Sequence, residues 1–254
     1  MASLVQGVYV MERDRQWNRH GHDARAPAWW RFFHFEVREV LVDAADSSIF
    51  GAVYAFQPPW HLLDPAAAAA ASAPHYVVAF RGTITKKASA AGVALPTFLF
   101  NAPFPSAPVE RIGDRRVRQG VRIANSFVTA AAATLLHHGS GGGGYDAFAA
   151  LARWVPNVFV NPGDPISAEY VGYFDHRKKM EDIGAGAVGR VATRNSVKDL
   201  LLGIGTAGGC EPLHLFPSAV LTVNRGASPD FKAAHGIHQW WRPDLALECA
   251  AHYY

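Results

Sequence analysis

Cysteine is scarce in this sequence: Cys210 and Cys249 are the two that occur among 254 residues. They lie far apart with no second thiol near either, and this usage favours reduced thiols over a disulfide framework. Apolar runs are short, far below the roughly 20 residues that a membrane-spanning helix needs. The apolar residues 3–11 follow no basic segment and precede a charged one, so they do not fit a signal peptide. These features predict a cytoplasmic protein without a transmembrane segment.

Charge is also low in this chain. Charged residues make up 18% of it, the net charge is +3 and the mean hydropathy is near zero, which is typical of a globular protein. Basic residues cluster only over 111–118 and 176–179. Nucleic-acid binding would be expected to need a stripe of lysine and arginine with interleaved aromatic residues. We therefore expect no nucleic-acid partner and interpret the two clusters as solvated loop charge.

Hydrophobic periodicity predicts a mixture of helices and strands. Alternating apolar and charged residues over 35–42 predict a half-buried strand, with 48–56 as its antiparallel partner across a turn at 44–47. Four short apolar runs suit strands buried on both faces of a parallel sheet: 75–80, 97–100, 157–160 and 219–223. Helices are predicted over 2–16, 117–137 and 243–252. Together these elements predict one α/β domain over residues 1–254.

The segment Arg81-Gly82-Thr83 directly follows the apolar run 75–80. A strand that ends in this way places a backbone N–H and a hydroxyl at the carboxyl edge of the sheet. Open α/β sheets bind their ligands along that edge. As a bare tripeptide, the segment is equally compatible with an ordinary strand-to-loop turn.

Asp164 lies in a turn of proline and glycine residues just past the apolar run 157–160. A carboxylate in this position can orient a histidine, as the acidic member of a Ser-His-Asp triad does. The alternative is an Asx-type turn, in which the aspartate side chain binds its own backbone. The sequence leaves both interpretations open.

His235 precedes Gly236 near the end of the chain, beside the pair Trp240-Trp241, and can serve as a loop-borne general base. His235 and His238 also have a spacing that metal ligands use. No carboxylate or thiol stands nearby at ligand spacing, so we expect no metal and no other cofactor. The chain order, with the turn first, then the aspartate and then the histidine, is that of an α/β-hydrolase.

Six segments of the sequence resemble a plant family that is related to class-3 lipases and often labelled GDSL esterase/lipase-like: 8–19, 26–30, 48–52, 81–83, 99–103 and 234–241. They extend over nearly the whole chain, although it has no Gly-Asp-Ser-Leu block. The resemblance implies an α/β-hydrolase-like sheet flanked by helices, acting on acyl esters or lipids through a Ser-Asp-His triad. It also implies Asp164 as the triad acid, His235 as the triad base and Thr83 near the oxyanion hole.

The nucleophile of that family is missing from this sequence. The family's serine lies in Gly-His-Ser-Leu-Gly, in a stretch where this chain has only residues 84–96. No serine of the chain stands in Gly-x-Ser-x-Gly, and we interpret Ser106, Ser126 and Ser140 as loop, helix and linker residues. The sequence therefore predicts an internal truncation near 84–96. It also predicts a sheet without its central nucleophile strand, which must close over the gap or keep an open edge.

Two functions from different classes follow from this pattern. The first is a lipase or esterase whose catalysis is impaired, because His235 has no serine hydroxyl to deprotonate. The second is a non-catalytic pseudohydrolase that binds a lipid, an acyl chain or a protein. The resemblance favours the first function for the family, and the missing elbow favours the second for this chain.

Overall fold

The computed structural model describes residues 1–25, 29–58, 75–81, 95–104, 109, 112–137, 151–189 and 216–254. The chain divides into two compact units: Met1–Ile84 with Ile237–Pro243, and Thr85–Gly236 with Asp244–Tyr254. The single domain expected over 1–254 stays a prediction. Within the described ranges, no helix is long and apolar enough to cross a bilayer.

The first unit packs one helix on an antiparallel sheet. Helix α1 (Ala2–Gln16) precedes the strands β1 (Phe35–Val42), β2 (Ile49–Phe56) and β3 (Tyr76–Phe80), which pair in the order β1-β2-β3. Short 3-10 helices span Gly21–Asp23, Trp29–Phe33 and Ile237–Trp241. The buried core consists of small and aromatic side chains from the helix and the sheet: Leu4, Val8, Trp30, Ala52, Tyr54 and Ala79.

The predicted hairpin of this unit is confirmed, and its turn is built by two aspartates. The Asp43 carboxylate accepts a hydrogen bond from the Ala45 backbone at 2.8 Å, and the Asp46 carboxylate accepts one from Ser48 at 2.9 Å. Ser47 has a φ of 58°, in the left-handed region. Asp side chains favour such turns because they bind the backbone two residues ahead.

Glu12 joins helix α1 to the start of β2. Its buried carboxylate accepts hydrogen bonds from Arg15 at 2.8 and 2.9 Å, from Gln16 at 2.7 Å and from the Ile49 backbone at 2.7 Å. The Arg15 guanidinium is the main reason why the pKa of Glu12 is lowered to about 2. A buried carboxylate is tolerated when its oxygens are paired in this way.

The second unit has a mostly parallel sheet flanked by helices. Its strands are β4 (Phe98–Phe100), β5 (Asn157–Val160), β6 (Ala219–Asn224) and β7 (Leu247–His252), in the order β4-β5-β6-β7. The first three are parallel and β7 is antiparallel to β6. The helices are α2 (Arg115–His137), α3 (Glu169–Asp182) and α4 (Phe231–His235), with a 3-10 turn at Leu151–Arg153. Among the described residues of this unit, twelve buried ones form the core: Leu99, Ala102, Trp154, Val158, Val160, Tyr170, Tyr173, Phe174, Phe216, Ala219, Leu221 and Val223.

The mixed α/β fold with a mostly parallel sheet is therefore confirmed, but the predicted helix over 243–252 is wrong. Leu247–His252 forms the edge strand β7, and all six of its residues are in register with β6. The segment is rich in alanine, leucine and glutamate, which favour helices when the chain is taken alone. Pairing with β6 outweighs that weak preference, as tertiary context commonly does.

In the sequence, the predicted truncation near 84–96 lies between β3, in the first unit, and β4, in the second. Strand β3 is a terminal strand of the three-stranded sheet, and β4 is a terminal strand of the four-stranded sheet. Most of residues 84–96 lie outside the described residues. The loss of a central nucleophile strand stays a prediction.

We expect the chain to unfold in two transitions rather than one, because each unit has its own core and its own sheet. Val8 and Val158 are both fully buried, one in each core. Val8→Ala and Val158→Ala should each destabilise one unit by roughly 2 kcal/mol through lost burial and a cavity. Differential scanning calorimetry of the two matched variants tests this: each should shift a different transition. A single transition that both variants lower equally would contradict the prediction.

Candidate functional site

The candidate site lies at the carboxyl edge of the parallel sheet in the second unit. Strands β4, β5 and β6 are neighbours and run in the same direction, so their carboxyl ends lie along one edge. Asn101 directly follows β4, Asp164 lies four residues past β5, and His235 ends the helix that comes after β6. This edge is where open α/β sheets place their ligands.

Asp164 and His235, the two triad residues expected from the sequence, are in contact. His235 Nδ1 lies 2.9 Å from Asp164 Oδ2, although the residues are 71 positions apart in the chain. The Asp164 side chain is fully buried, whereas the His235 side chain is 41% exposed. Asp164 is thus shielded from solvent, whereas part of the His235 side chain is in contact with solvent.

The Asp164 carboxylate also builds the turn that was the alternative interpretation. Its Oδ1 accepts a hydrogen bond from the Ile166 backbone at 3.0 Å, which is the Asx-type arrangement. Its Oδ2, the oxygen that contacts His235, accepts a second hydrogen bond from the Ser167 hydroxyl at 2.6 Å. The Asx-type turn and the contact with His235 therefore occur together, because the two oxygens of Asp164 have different partners.

The contact with Asp164 fixes the tautomer of a neutral His235. An ionised carboxylate only accepts hydrogen bonds, so Nδ1 carries the proton and donates it to Asp164. The lone pair of the neutral ring is then on Nε2. A histidine held in this tautomer can take a proton from a hydroxyl or a water molecule, which is how the histidine of a triad works.

Several contacts hold His235 in place at the end of helix α4. Asp230 caps the helix by accepting a hydrogen bond from the Ala233 backbone at 2.8 Å. Asn101 Nδ2 donates to the His235 carbonyl oxygen at 2.6 Å, and the Phe231 ring stacks on the imidazole at 5.4 Å between centroids. These contacts restrain both the backbone and the ring of His235.

Gly163 allows the loop after β5 to approach helix α4 closely. A Cβ at this position would lie 3.3 Å from Ala234 Cβ and 3.2 Å from Asn161 Oδ1. Asn161 completes the loop, since its Oδ1 accepts from Gly163 N at 2.8 Å and its Nδ2 donates to Ser228 Oγ at 2.9 Å. The absence of a side chain at Gly163 thus keeps Asp164 near His235.

The remaining predicted site residues are not part of this arrangement as described. Thr83 and Gly82 lie outside the described residues, and Arg81 donates from Nε to the Ile49 carbonyl at 3.1 Å in the first unit. His238 lies in the 3-10 helix Ile237–Trp241. The described part of the chain has no group of three or more His, Cys, Asp or Glu side chains that could hold a metal ion.

A serine–histidine contact occurs between helices α2 and α3. Ser126 Oγ lies 2.7 Å from His176 Nε2, a distance typical of a nucleophile and its base. Burial, followed by the charge of Arg122, lowers the pKa of His176 to about 4, so this imidazole is a weak base. Its buried Nδ1 has no hydrogen-bond partner within the described ranges, and Ser126 lies inside a helix rather than at an elbow. The interpretation of Ser126 as a helix residue therefore fits its geometry.

Sequence reasoning missed this contact because His176 was grouped with the basic cluster 176–179. The interpretation of the two basic clusters as loop charge is wrong, since residues 176–179 lie in α3 and residues 115–118 lie in α2. Next to the pair, the Arg122 guanidinium forms a salt bridge with the buried Glu169 carboxylate. The Arg122–Glu169 salt bridge and the Ser126–His176 contact together join α2 to α3.

Comparison with known proteins identifies a relative from a plant. A protein of Arabidopsis thaliana named GDSL esterase/lipase is 40% identical to this chain over 322 aligned positions, covering 99% of this chain and 90% of that protein. Because the chain has 254 residues, at least 68 of the 322 positions have no counterpart in it. No family model matches the chain, and no solved structure matches it.

Protonation of His176 should make the second unit less stable in mild acid. Its pKa is lowered in the folded chain, so the unfolded chain binds the proton first, and stability falls as the pH drops from about 6.5 to about 4. His176→Gln should flatten this dependence by on the order of 1–3 kcal/mol. Urea unfolding at pH 7, 5.5 and 4.5 measures it, and a residual slope from the half-buried His252 is expected.

The matched control for this experiment is His22→Gln, because the His22 side chain is 94% exposed. That variant should keep the pH dependence of the parent chain. Equal slopes in the parent chain and in His176→Gln would show that His176 does not govern stability in this range.

Proposed function

The chain belongs to the GDSL esterase/lipase family, and on that premise we propose that Asp164 and His235 are the acid–base half of an ester-hydrolysing site. The proposal includes a second part: ester turnover by this chain is strongly impaired, because the chain has no serine in a nucleophile elbow. The observation that supports it most is the 2.9 Å contact between His235 Nδ1 and the buried Asp164 carboxylate. The substrates we propose are acyl esters or lipids, which is the chemistry named in the family.

The type of hydrolase fold is part of the proposal. The family name points to the SGNH hydrolase fold and not to class-3 lipases. This chain has no Gly-Asp-Ser-Leu block, and its Asp164 precedes His235 by 71 residues. Asp164 follows one parallel strand and His235 comes after the next, which fits the α/β-hydrolase order of acid before base. These features support an arrangement of the α/β-hydrolase type for this chain.

The proposed chemistry of the pair follows from its hydrogen bonds. His235 Nε2 takes the proton of the attacking oxygen and later gives it to the leaving alcohol, while Asp164 stabilises the imidazolium and holds its orientation. A buried carboxylate performs this role well because water does not screen it. The exposed part of the His235 ring allows an ester to reach the base.

The missing nucleophile is the reason to propose impaired turnover. Members of a catalytic triad act as a unit, and removal of the serine alone costs a rate factor of about 10⁶ in a well-studied protease. At least 68 of the aligned positions have no counterpart in this chain, which is enough for a strand, an elbow and a helix. What then remains for His235 is a water molecule, which attacks an ester far more slowly than a positioned serine. Thr83 remains our candidate for an oxyanion-hole residue.

An alternative proposal is a non-catalytic binding protein that retains the cleft of its relatives. The absence of Gly-x-Ser-x-Gly from the sequence favours it. In that case the chain would bind an acyl chain, a lipid or a protein and would not hydrolyse an ester. Its location in the cytoplasm stays a prediction in either case.

The proposal is tested by treating the purified chain with a fluorophosphonate probe and mapping any adduct by mass spectrometry. We expect no stoichiometric adduct and a turnover of short-chain p-nitrophenyl esters about 10³-fold or more below that of a control serine esterase. Ser126→Ala is the matched control, because Ser126 is the serine that contacts a histidine in the described part of the chain.

Two results would distinguish the outcomes. A stoichiometric adduct on one serine, with fast turnover that is lost in His235→Ala, would overturn the proposed impairment. Retention of a fluorescent fatty-acid probe by the parent chain and by His235→Ala alike, without turnover in either, would favour the binding protein.

A further inference from the structure

Asn101 occupies a position at the site that the acid–base chemistry does not explain. It directly follows β4, and its backbone N–H continues the parallel ladder by donating to the Phe159 carbonyl at 2.9 Å. Its side chain is buried, with 5% of the residue exposed. Its φ is 48°, in the left-handed region that Asn tolerates better than most residues.

The amide group of Asn101 faces the backbone of the histidine helix. Nδ2 lies 2.6 Å from the His235 carbonyl oxygen and 3.5 Å from that of Ala234. Both neighbours are acceptors, so the amide nitrogen and not the amide oxygen must point toward them. A carbonyl oxygen at 2.6 Å from another would be strongly repelled.

The other end of the Asn101 amide is left without a partner. Oδ1 is buried and accepts no hydrogen bond from the described part of the chain. A buried acceptor without a partner is unfavourable, and most buried polar atoms have one. The side chain keeps this conformation although only its donor end is satisfied, which indicates that the contact with His235 determines its orientation.

Together these contacts hold His235 from two directions. Asp164 fixes the imidazole through Nδ1, and Asn101 fixes the main chain of the same residue through its carbonyl oxygen. The two restraints come from the ends of adjacent parallel strands, β4 and β5. If the main chain of His235 moved away from β4, the ring would lose its alignment with the Asp164 carboxylate.

We propose that Asn101 is a positioning residue that holds His235 in register with Asp164, acting through the His235 main chain rather than on a substrate. The inference rests on the proposed function, because it concerns the same acid–base pair. It adds Asn101, at the end of β4, to that pair. Its test does not require the chain to hydrolyse an ester.

The test is nuclear magnetic resonance of the full chain with ¹⁵N-labelled histidine, following the His235 Nδ1–H proton. Asp164→Asn identifies this resonance by weakening it. Asn101→Asp keeps the side-chain shape and tolerates the left-handed φ but removes the N–H donor. Asn101→Gly removes the amide and relieves the backbone, so it remains informative if the aspartate variant does not fold.

We expect solvent exchange of the Nδ1–H proton to be about tenfold faster or more in both Asn101 variants than in the parent chain, because the local opening is easier. The matched control is Asn224→Asp at the end of β6, where the side-chain oxygen accepts from Gly226 N at 2.9 Å and an aspartate can do the same. This control should exchange like the parent chain.

The outcomes separate the two proposals. An Asp164-dependent N–H that persists unchanged in both Asn101 variants would overturn the role of Asn101 and leave the Asp164–His235 pair standing. A parent spectrum without any Asp164-dependent N–H would overturn both. A loss of thermal stability in the Asn101 variants without faster exchange would indicate a purely structural role and would also overturn the inference.

Discussion

The arrangement at the sheet edge depends on the burial of one carboxylate, that of Asp164. A buried charge is strongly unfavourable unless its oxygens are hydrogen-bonded. Asp164 meets this requirement with the Ile166 backbone, the Ser167 hydroxyl and His235 Nδ1. Each of these donors belongs to a different structural feature: the turn itself, the approach to helix α3, and helix α4. The same charge therefore fixes the loop after β5 and selects the tautomer of the histidine.

Much of this fold could be predicted from the sequence because short apolar runs between turn residues favour buried strands. The runs at 157–160 and 219–223 became β5 and β6 for that reason. The segment 247–252 could not be predicted in the same way, since its composition favours a helix and only the partner strand β6 makes it a strand. Helix α3 is not among the predicted helices, although its buried aromatic residues Tyr170, Tyr173 and Phe174 have the i, i+3, i+4 spacing of a helical face. The charged residues that follow them, over 175–179, make the segment look like a solvated loop when the sequence is taken alone.

The site was partly predictable for a related reason. Asp164 and His235 stand in turns with recognisable composition, and their order in the chain matches a hydrolase. The roles of Asn101 and Ser167 could not be predicted from the sequence. Their contacts arise only when β4, β5 and helix α4 meet, and a left-handed φ at Asn101 is a property of the folded chain. Residues that position others through tertiary contacts have no spacing rule that a single sequence can show.

The survival of the Asp164–His235 contact does not by itself argue for turnover. Asp164 closes its own turn, and the His235 main chain is bound to Asn101, so both residues would keep their places for structural reasons in a chain that had lost its chemistry. The part of the pair with no such structural role is the exposed part of the His235 side chain. As the proposed base, His235 needs an oxygen to act on, and the sequence has no elbow serine to supply it. Whether the site hydrolyses esters is therefore decided by the nucleophile and not by the preserved acid–base pair.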